Sequence, residues 1–228
     1  MRLGELDVQI VGPVGGQGPV VVLLHGFGAP GDDLVSLARV LRAPPGTRFV
    51  FPVAPIDLGR AYAGGRAWWF IDLEARMRAG GRRDVREVPE GLSRARALVD
   101  GLLDDVARTL APAEGQLVLG GFSQGAMLAL DVALRSDRAL AGLVLMSGTH
   151  LAADEWAARL PARRGLPVFM SHGRDDELLP FATSEALRDV LTAAGLPVTW
   201  VPFGGGHGIP ERVLEGAGDF LETTLGGQ

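Results

Sequence analysis

The 228-residue chain contains no cysteine. That excludes disulfides, thiolate metal sites and a cysteine nucleophile. Lysine and asparagine are also missing, so all 22 residues counted as Lys or Arg are arginine. A Ser-Lys dyad and a lysine Schiff base are therefore ruled out. Positive charge is in short supply overall: 27 acidic residues leave a net charge of −5, and nucleic acid would call for a basic face. No apolar run approaches the roughly 18 residues of a membrane helix. The opening stretch "MRLGELDVQI" lacks the apolar core of a signal peptide. These absences lead us to expect a cytoplasmic protein with no nucleic-acid partner and no stable membrane insertion. What is present has the balance of a globular protein, 47% hydrophobic and 21% charged.

Apolar runs bounded by turn residues recur at 20–24, 48–53, 116–122, 140–147, 166–171 and 197–203. They are continuous rather than alternating, the pattern of strands buried on both faces of a mostly parallel sheet. "LDVQIVG" near the start adds an edge strand. Helical spacing appears between them, in "DDLVSLARVLR", "LSRARALVDGLLDDVARTLA", "AMLALDVALR", "FATSEALRDVLTAAG" and "ERVLEGAGDFLETTL". Gly195 is placed to cap the fourth of these. Strands alternating with helices predict an α/β domain over residues 1–228, its mostly parallel sheet flanked by helices on both faces. One stretch, 55–91, breaks the rhythm. It is read as a long loop insertion, and at this length such a loop is functional or disordered.

The chemistry begins at "GFSQG", residues 121–125, between a predicted strand and a predicted helix. That context makes Ser123 the nucleophile of a strained strand-to-helix elbow. A serine hydroxyl needs a base. Of the four histidines, only His207 follows the acidic candidates near 175, as the chain order serine, acid, histidine requires. It sits in the flexible loop "GGGHGIP". The acid belongs to "HGRDDELLP", which offers Asp175, Asp176 and Glu177, and spacing does not decide between Asp175 and Asp176. An oxyanion hole needs two backbone N–H groups. Gln124 follows the nucleophile at a helix N-terminus, and Phe27 lies in the Gly-rich turn of "LLHGFGAPGDD".

Together "LLHGFG", "GFSQGAMLAL", "HGRDDELLP" and "GGGHGIP" resemble the α/β-hydrolase fold, and more narrowly the phospholipase/carboxylesterase family with its acyl-protein thioesterases and bacterial carboxylesterases. The motifs run from Leu23 to His207. Through His172, Gly173, Asp176 and Pro180 the resemblance assigns the acid to Asp176. "WWF" is similar to the family's Trp-Phe pair at Trp69 and Phe70, with Trp68 an addition. Phe27 stands where the family usually has Leu or Val. The implied activity is hydrolysis of small-molecule carboxylic esters through an acyl-enzyme, with no cofactor, no metal and no separate cap domain. Thioesterase and lysophospholipase activities are the alternatives, and a non-catalytic ligand-binding module is a distant one. With no cap domain, the acyl chain is expected to lie against an apolar wall of Trp68, Trp69, Phe70, Ile71 and Leu73. Gly64, Gly65, Gly80 and Gly81 would serve as hinges, and acyl groups of about four to eight carbons would be preferred, each buried methylene contributing ~0.8 kcal/mol.

Overall fold

The computed structural model describes residues 1–13, 15–78 and 84–226. In chain order the elements begin with β1 (Arg2–Leu3), β2 (Leu6–Val11) and β3 (Val20–Leu24). A 3₁₀ turn (Val35–Arg39) leads to β4 (Arg48–Pro52), the short strands β5 (Ile56–Asp57) and β6 (Arg66–Ala67), and α1 (Leu73–Arg78). Then follow α2 (Leu92–Thr109), β7 (Leu117–Phe122), α3 (Gln124–Arg135), β8 (Gly142–Met146) and α4 (Ala153–Arg159). The chain closes with β9 (Val168–Gly173), α5 (Phe181–Ala193), β10 (Val198–Phe203) and α6 (Glu211–Gly226).

Eight strands form one sheet in the order β1-β2-β4-β3-β7-β8-β9-β10. β1 and β2 are antiparallel to their neighbours, and the rest run parallel. The continuous apolar strands follow from burial on both faces. Val20, Val22 and Leu24 face a core with α2, α3, α4 and α5, while Val21 and Leu23 face a second core closed by the 3₁₀ turn and α6. Side chains alternate across a strand, so the central strands feed both cores. Strand order reverses at β3, since β4 lies on one side of it and β7 on the other. The crevice at the carboxyl ends of β3 and β7 is therefore the favoured place for a ligand.

Every predicted strand is found, and Gly195, at φ +86°, ends α5 as anticipated, donating its N–H to Thr192 O. Three expectations need correction. "DDLVSLARVLR" forms a 3₁₀ turn rather than an α-helix. Leu34 and Leu37 still reach the core, because residues three apart share a face in a 3₁₀ turn too. α4 was not anticipated, because its only buried side chain is Trp156 and no periodic stripe announces it. Its packing is polar as well as apolar: Trp156 Nε1 donates to the buried Asp131 at 2.9 Å, which also takes Arg96 at 2.9 Å, tying α4 and α2 to α3. The stretch 55–91 is not a featureless loop. It contains the β5–β6 hairpin and α1, and among the described residues there is no separate cap domain. Two of the four expected hinges, Gly80 and Gly81, lie outside the described residues.

Candidate active site

Ser123 sits between the end of β7 and the start of α3, at φ +54° and ψ −116°. A non-glycine residue there is strained, and such strain persists only where neighbours over-determine it. Its N–H donates to Met146 O at 2.8 Å, and its carbonyl accepts from Met127 N–H at 3.2 Å. The glycines on either side permit close packing. A Cβ on Gly121 would lie 2.6 Å from Gly125 C, and one on Gly125 would lie 2.7 Å from His25 O. Only glycine lets the strand, the turn and the preceding loop meet so closely, which is why two glycines bracket the serine.

The acid and the histidine come from the loops after β9 and β10, which lie beyond β8 in the sheet. Beyond β9, Asp176 accepts four N–H groups. Oδ1 takes Leu178 N–H at 3.0 Å and Leu179 N–H at 2.9 Å. Oδ2 faces His207 Nδ1 at 2.7 Å and His172 Nε2 at 3.2 Å. Burial alone would raise this carboxyl's pKa, but the bonds from His172, His207 and Leu179 outweigh it and hold the group well below the usual carboxylate range. Asp175 faces elsewhere: its Oδ2 accepts Gly205 N–H at 3.0 Å, and its own N–H bonds Gly205 O at 3.0 Å. The two adjacent acids thus divide the labour, one meeting the His207 ring and the other latching the loop that carries it. The ring of His207 also packs on Phe122, with centroids 4.8 Å apart.

The first Gly-rich turn is anchored from below. His25 is buried, with Nδ1 2.8 Å from Gly26 O and Nε2 2.9 Å from Ala54 N. One nitrogen therefore donates and the other accepts, and burial pushes the imidazole pKa down. In the turn, Gly28 N–H is committed to Arg66 O at 2.8 Å and Ala29 N–H to Gly26 O at 3.4 Å. Phe27 lies between Gly26 and Gly28. Gln124 occupies the first position of α3, where a backbone N–H has no carbonyl of its own helix to bond. Its fully buried side chain has a separate task. The amide oxygen accepts Trp68 N–H at 3.0 Å, and the amide nitrogen donates to Trp69 O at 2.8 Å.

A cavity of about 250 Å³ opens here. Ser123, His207 and Phe27 line it, with Ile71, Leu73, Met127, Leu178 and Leu179 as its apolar wall. Trp68 and Trp69 are absent from that lining, which corrects the expected aromatic wall. Both are 1% exposed within the core, held inward by Gln124 and by the bond from Trp68 Nε1 to His25 O at 3.0 Å. Phe70 is 62% exposed and meets Phe27 edge-on, with centroids 6.4 Å apart. Ile71 and Leu73, named with the tryptophans, do reach the cavity. Met127, Leu178 and Leu179 were missed, although a pair of leucines beginning two residues after the acid was a visible signal.

The sheet order, the elbow and the crevice at the strand switch are those of the α/β-hydrolase fold. More narrowly, the chain belongs to the phospholipase/carboxylesterase family, whose model matches residues 7–225. It is 29% identical over 219 residues to acyl-protein thioesterase 1 of Eremothecium gossypii, covering 90% of this chain and 87% of that one. It is 32% identical over 217 residues to a probable carboxylesterase of Oryza sativa subsp. japonica, covering 92% and 90%. The crystal structure of esterase PE8 is similar at a TM-score of 0.83 and 32% identity, over 96% of this chain and 99% of that one. A Bacillus cereus carboxylesterase shares the fold at a TM-score of 0.71 and 21% identity, over 96% and 94%. No helix among the described residues is long and apolar enough to cross a membrane.

Proposed function

We propose that this protein is a serine carboxylesterase acting on esters of short to medium acyl chains. His207 takes the Ser123 hydroxyl proton as the oxygen attacks the ester carbonyl. The backbone N–H groups of Phe27 and Gln124 bind the oxyanion of the tetrahedral intermediate. Its collapse expels the alcohol, which receives the proton from His207, and leaves an acyl-enzyme on Ser123. Water, deprotonated by His207, then releases the acid and restores the serine. Asp176 keeps the imidazole in the tautomer with its proton on Nδ1 and stabilises the imidazolium as it forms. Carrying this reading is the 2.7 Å approach of His207 Nδ1 to Asp176 Oδ2, with Ser123 on its strained turn lining the same cavity. The small apolar wall of Ile71, Leu73, Met127, Leu178 and Leu179 supports the preference for about four to eight carbons, since each methylene beyond it stays wet and forfeits ~0.8 kcal/mol.

A second reading, acyl thioesterase, is favoured by the names of several relatives. The site chemistry is shared, because thioesters and oxyesters pass through similar intermediates. Two experiments test the proposal. A fluorophosphonate probe should label Ser123, located by peptide mass spectrometry, and Ser123→Ala should lose both labelling and roughly 10⁴-fold or more in kcat. Activity within tenfold of the parent in Ser123→Ala would remove the serine mechanism. Parallel kcat/KM series on p-nitrophenyl esters and acyl-CoA thioesters of matched chain length then separate the two readings.

A further inference from the structure

One buried imidazole in this site has no part in the proton transfers described above. His172, at the end of β9, is 0% exposed. Its Nε2 lies 2.8 Å from Leu179 O and 3.2 Å from Asp176 Oδ2. Both neighbours are acceptors, so Nε2 carries the proton. Its Nδ1 is buried with no hydrogen-bond partner among the described residues. An orphaned buried polar atom is a penalty that a leucine or phenylalanine would avoid while filling the same space. What the imidazole adds over a hydrocarbon side chain is that single N–H and its two acceptors.

We propose that His172 is a positioning residue for the acid of this site: its Nε2–H spans Leu179 O and Asp176 Oδ2, locking the turn that carries the carboxylate and aiming that carboxylate at His207. The inference rests on the triad reading above. Around the turn the bonds close a ring. Leu178 and Leu179 N–H hold Oδ1, while His172 holds the carbonyl of Leu179 together with Oδ2. Rotation of the carboxylate away from His207 breaks bonds at both oxygens, so Asp176 stays in line as the imidazolium forms. The same clamp fixes Leu179 as part of the cavity wall. Orientation of the acid and shape of the wall therefore share one proton donor, which the motif "HGRDDELLP" places four residues ahead of the acid.

The test compares His172→Leu, His172→Gln and His172→Asn, using p-nitrophenyl butyrate kinetics and the far-downfield proton resonance of His207 Nδ1–H. Glutamine carries its amide donor about as far out as Nε2, and asparagine reaches only about as far as Nδ1. His172→Leu should lower kcat by about tenfold to a hundredfold, as expected for one lost hydrogen bond to a charged group, with KM changed less than about threefold. The downfield resonance should broaden or vanish, with the far-UV circular dichroism spectrum retained. His172→Gln should restore most of the kcat and the resonance, and His172→Asn should not. If His172→Leu fails to fold, the contrast between glutamine and asparagine still decides. A kcat within twofold of the parent in His172→Leu, or glutamine performing no better than asparagine, overturns the proposal. An active Ser123→Ala would instead overturn the triad reading itself, so the two failures are distinguishable.

Discussion

Asp176→Asn separates the roles of the two adjacent acids most sharply. The carboxylate accepts four N–H groups, two on each oxygen. Asparagine has one oxygen and one NH₂, so either orientation turns a donor toward two donors. With the NH₂ toward Leu178 and Leu179, two backbone N–H groups lose their acceptor in a partly buried turn, at ~1–3 kcal/mol for the buried one. With the NH₂ toward His207, the imidazole must present a bare Nδ1, which moves its proton to Nε2, where it can no longer take one from Ser123. The second arrangement keeps the two backbone bonds of the turn, turns the NH₂ toward His172 Nε2–H as well, and sacrifices the chemistry. By analogy with the same change in serine proteases, kcat should fall about 10³–10⁴-fold, or ~4–5.5 kcal/mol of barrier. Asp175→Asn is the matched control. Its side-chain bond from Gly205 N–H at 3.0 Å can be kept by the asparagine oxygen, and the loss should stay under about tenfold. Steady-state kinetics with p-nitrophenyl butyrate, corrected for active sites by titration, reads both variants. Reversed losses, or an Asp176→Asn enzyme within tenfold of the parent, would refute the assignment of the acid.

Gly173→Ala should weaken the site without touching it, because the new methyl overlaps the carbonyl oxygens of Gly205 and Gly206 and must push the His207 loop away from Asp176. A displacement near 1 Å lowers kcat by about a hundredfold, and a rate within threefold of the parent would contradict it. Trp69→Ala should destabilise by ~3–5 kcal/mol, as truncation of a large core side chain does, read as a lower denaturant midpoint, and leave the chain-length optimum in place. Ile71→Ala and Leu73→Ala should do the opposite, moving the optimum with modest effect on stability; a shifted optimum in the tryptophan variant alone would reinstate the aromatic wall. Stability should also fall in mild acid. Burial lowers the imidazole pKa of both His25 and His150, so below the ordinary value of about 6.5 the unfolded chain binds protons that the folded one refuses. That stability is present above about pH 6.5 and lost as pH falls toward the depressed folded values, whereas the contribution of Asp176 persists until about pH 3.8 and is lost below it. Thermal midpoints from pH 8 to 5 should drop, and less so in His150→Phe; a flat curve over that range would refute the argument.

The strands were legible because a strand buried on both faces leaves nothing but apolar residues in sequence, as in "VVVLL". The long amphipathic helix was legible because the buried face of α2, from Leu92 to Val106, repeats at helical spacing. Ser123 and His207 could be named from local chemistry: a serine bracketed by glycines after a strand, and the single histidine beyond the acids. Other features depend on distant partners and leave no periodic trace. α4 buries one tryptophan and docks through Asp131, so it has no stripe to read. The direction of Trp68 and Trp69 is decided by Gln124, 55 to 56 residues away, and adjacent aromatics read the same whether they line a pocket or fill a core. The division between Asp175 and Asp176 depends on how β10 delivers its glycine loop beside β9. Motif chemistry is written in neighbouring residues and survives in the one-dimensional string. Which wall a side chain joins, and which of two acids meets the imidazole, depends on packing between segments that are far apart in the chain and is decided only when the sheet closes.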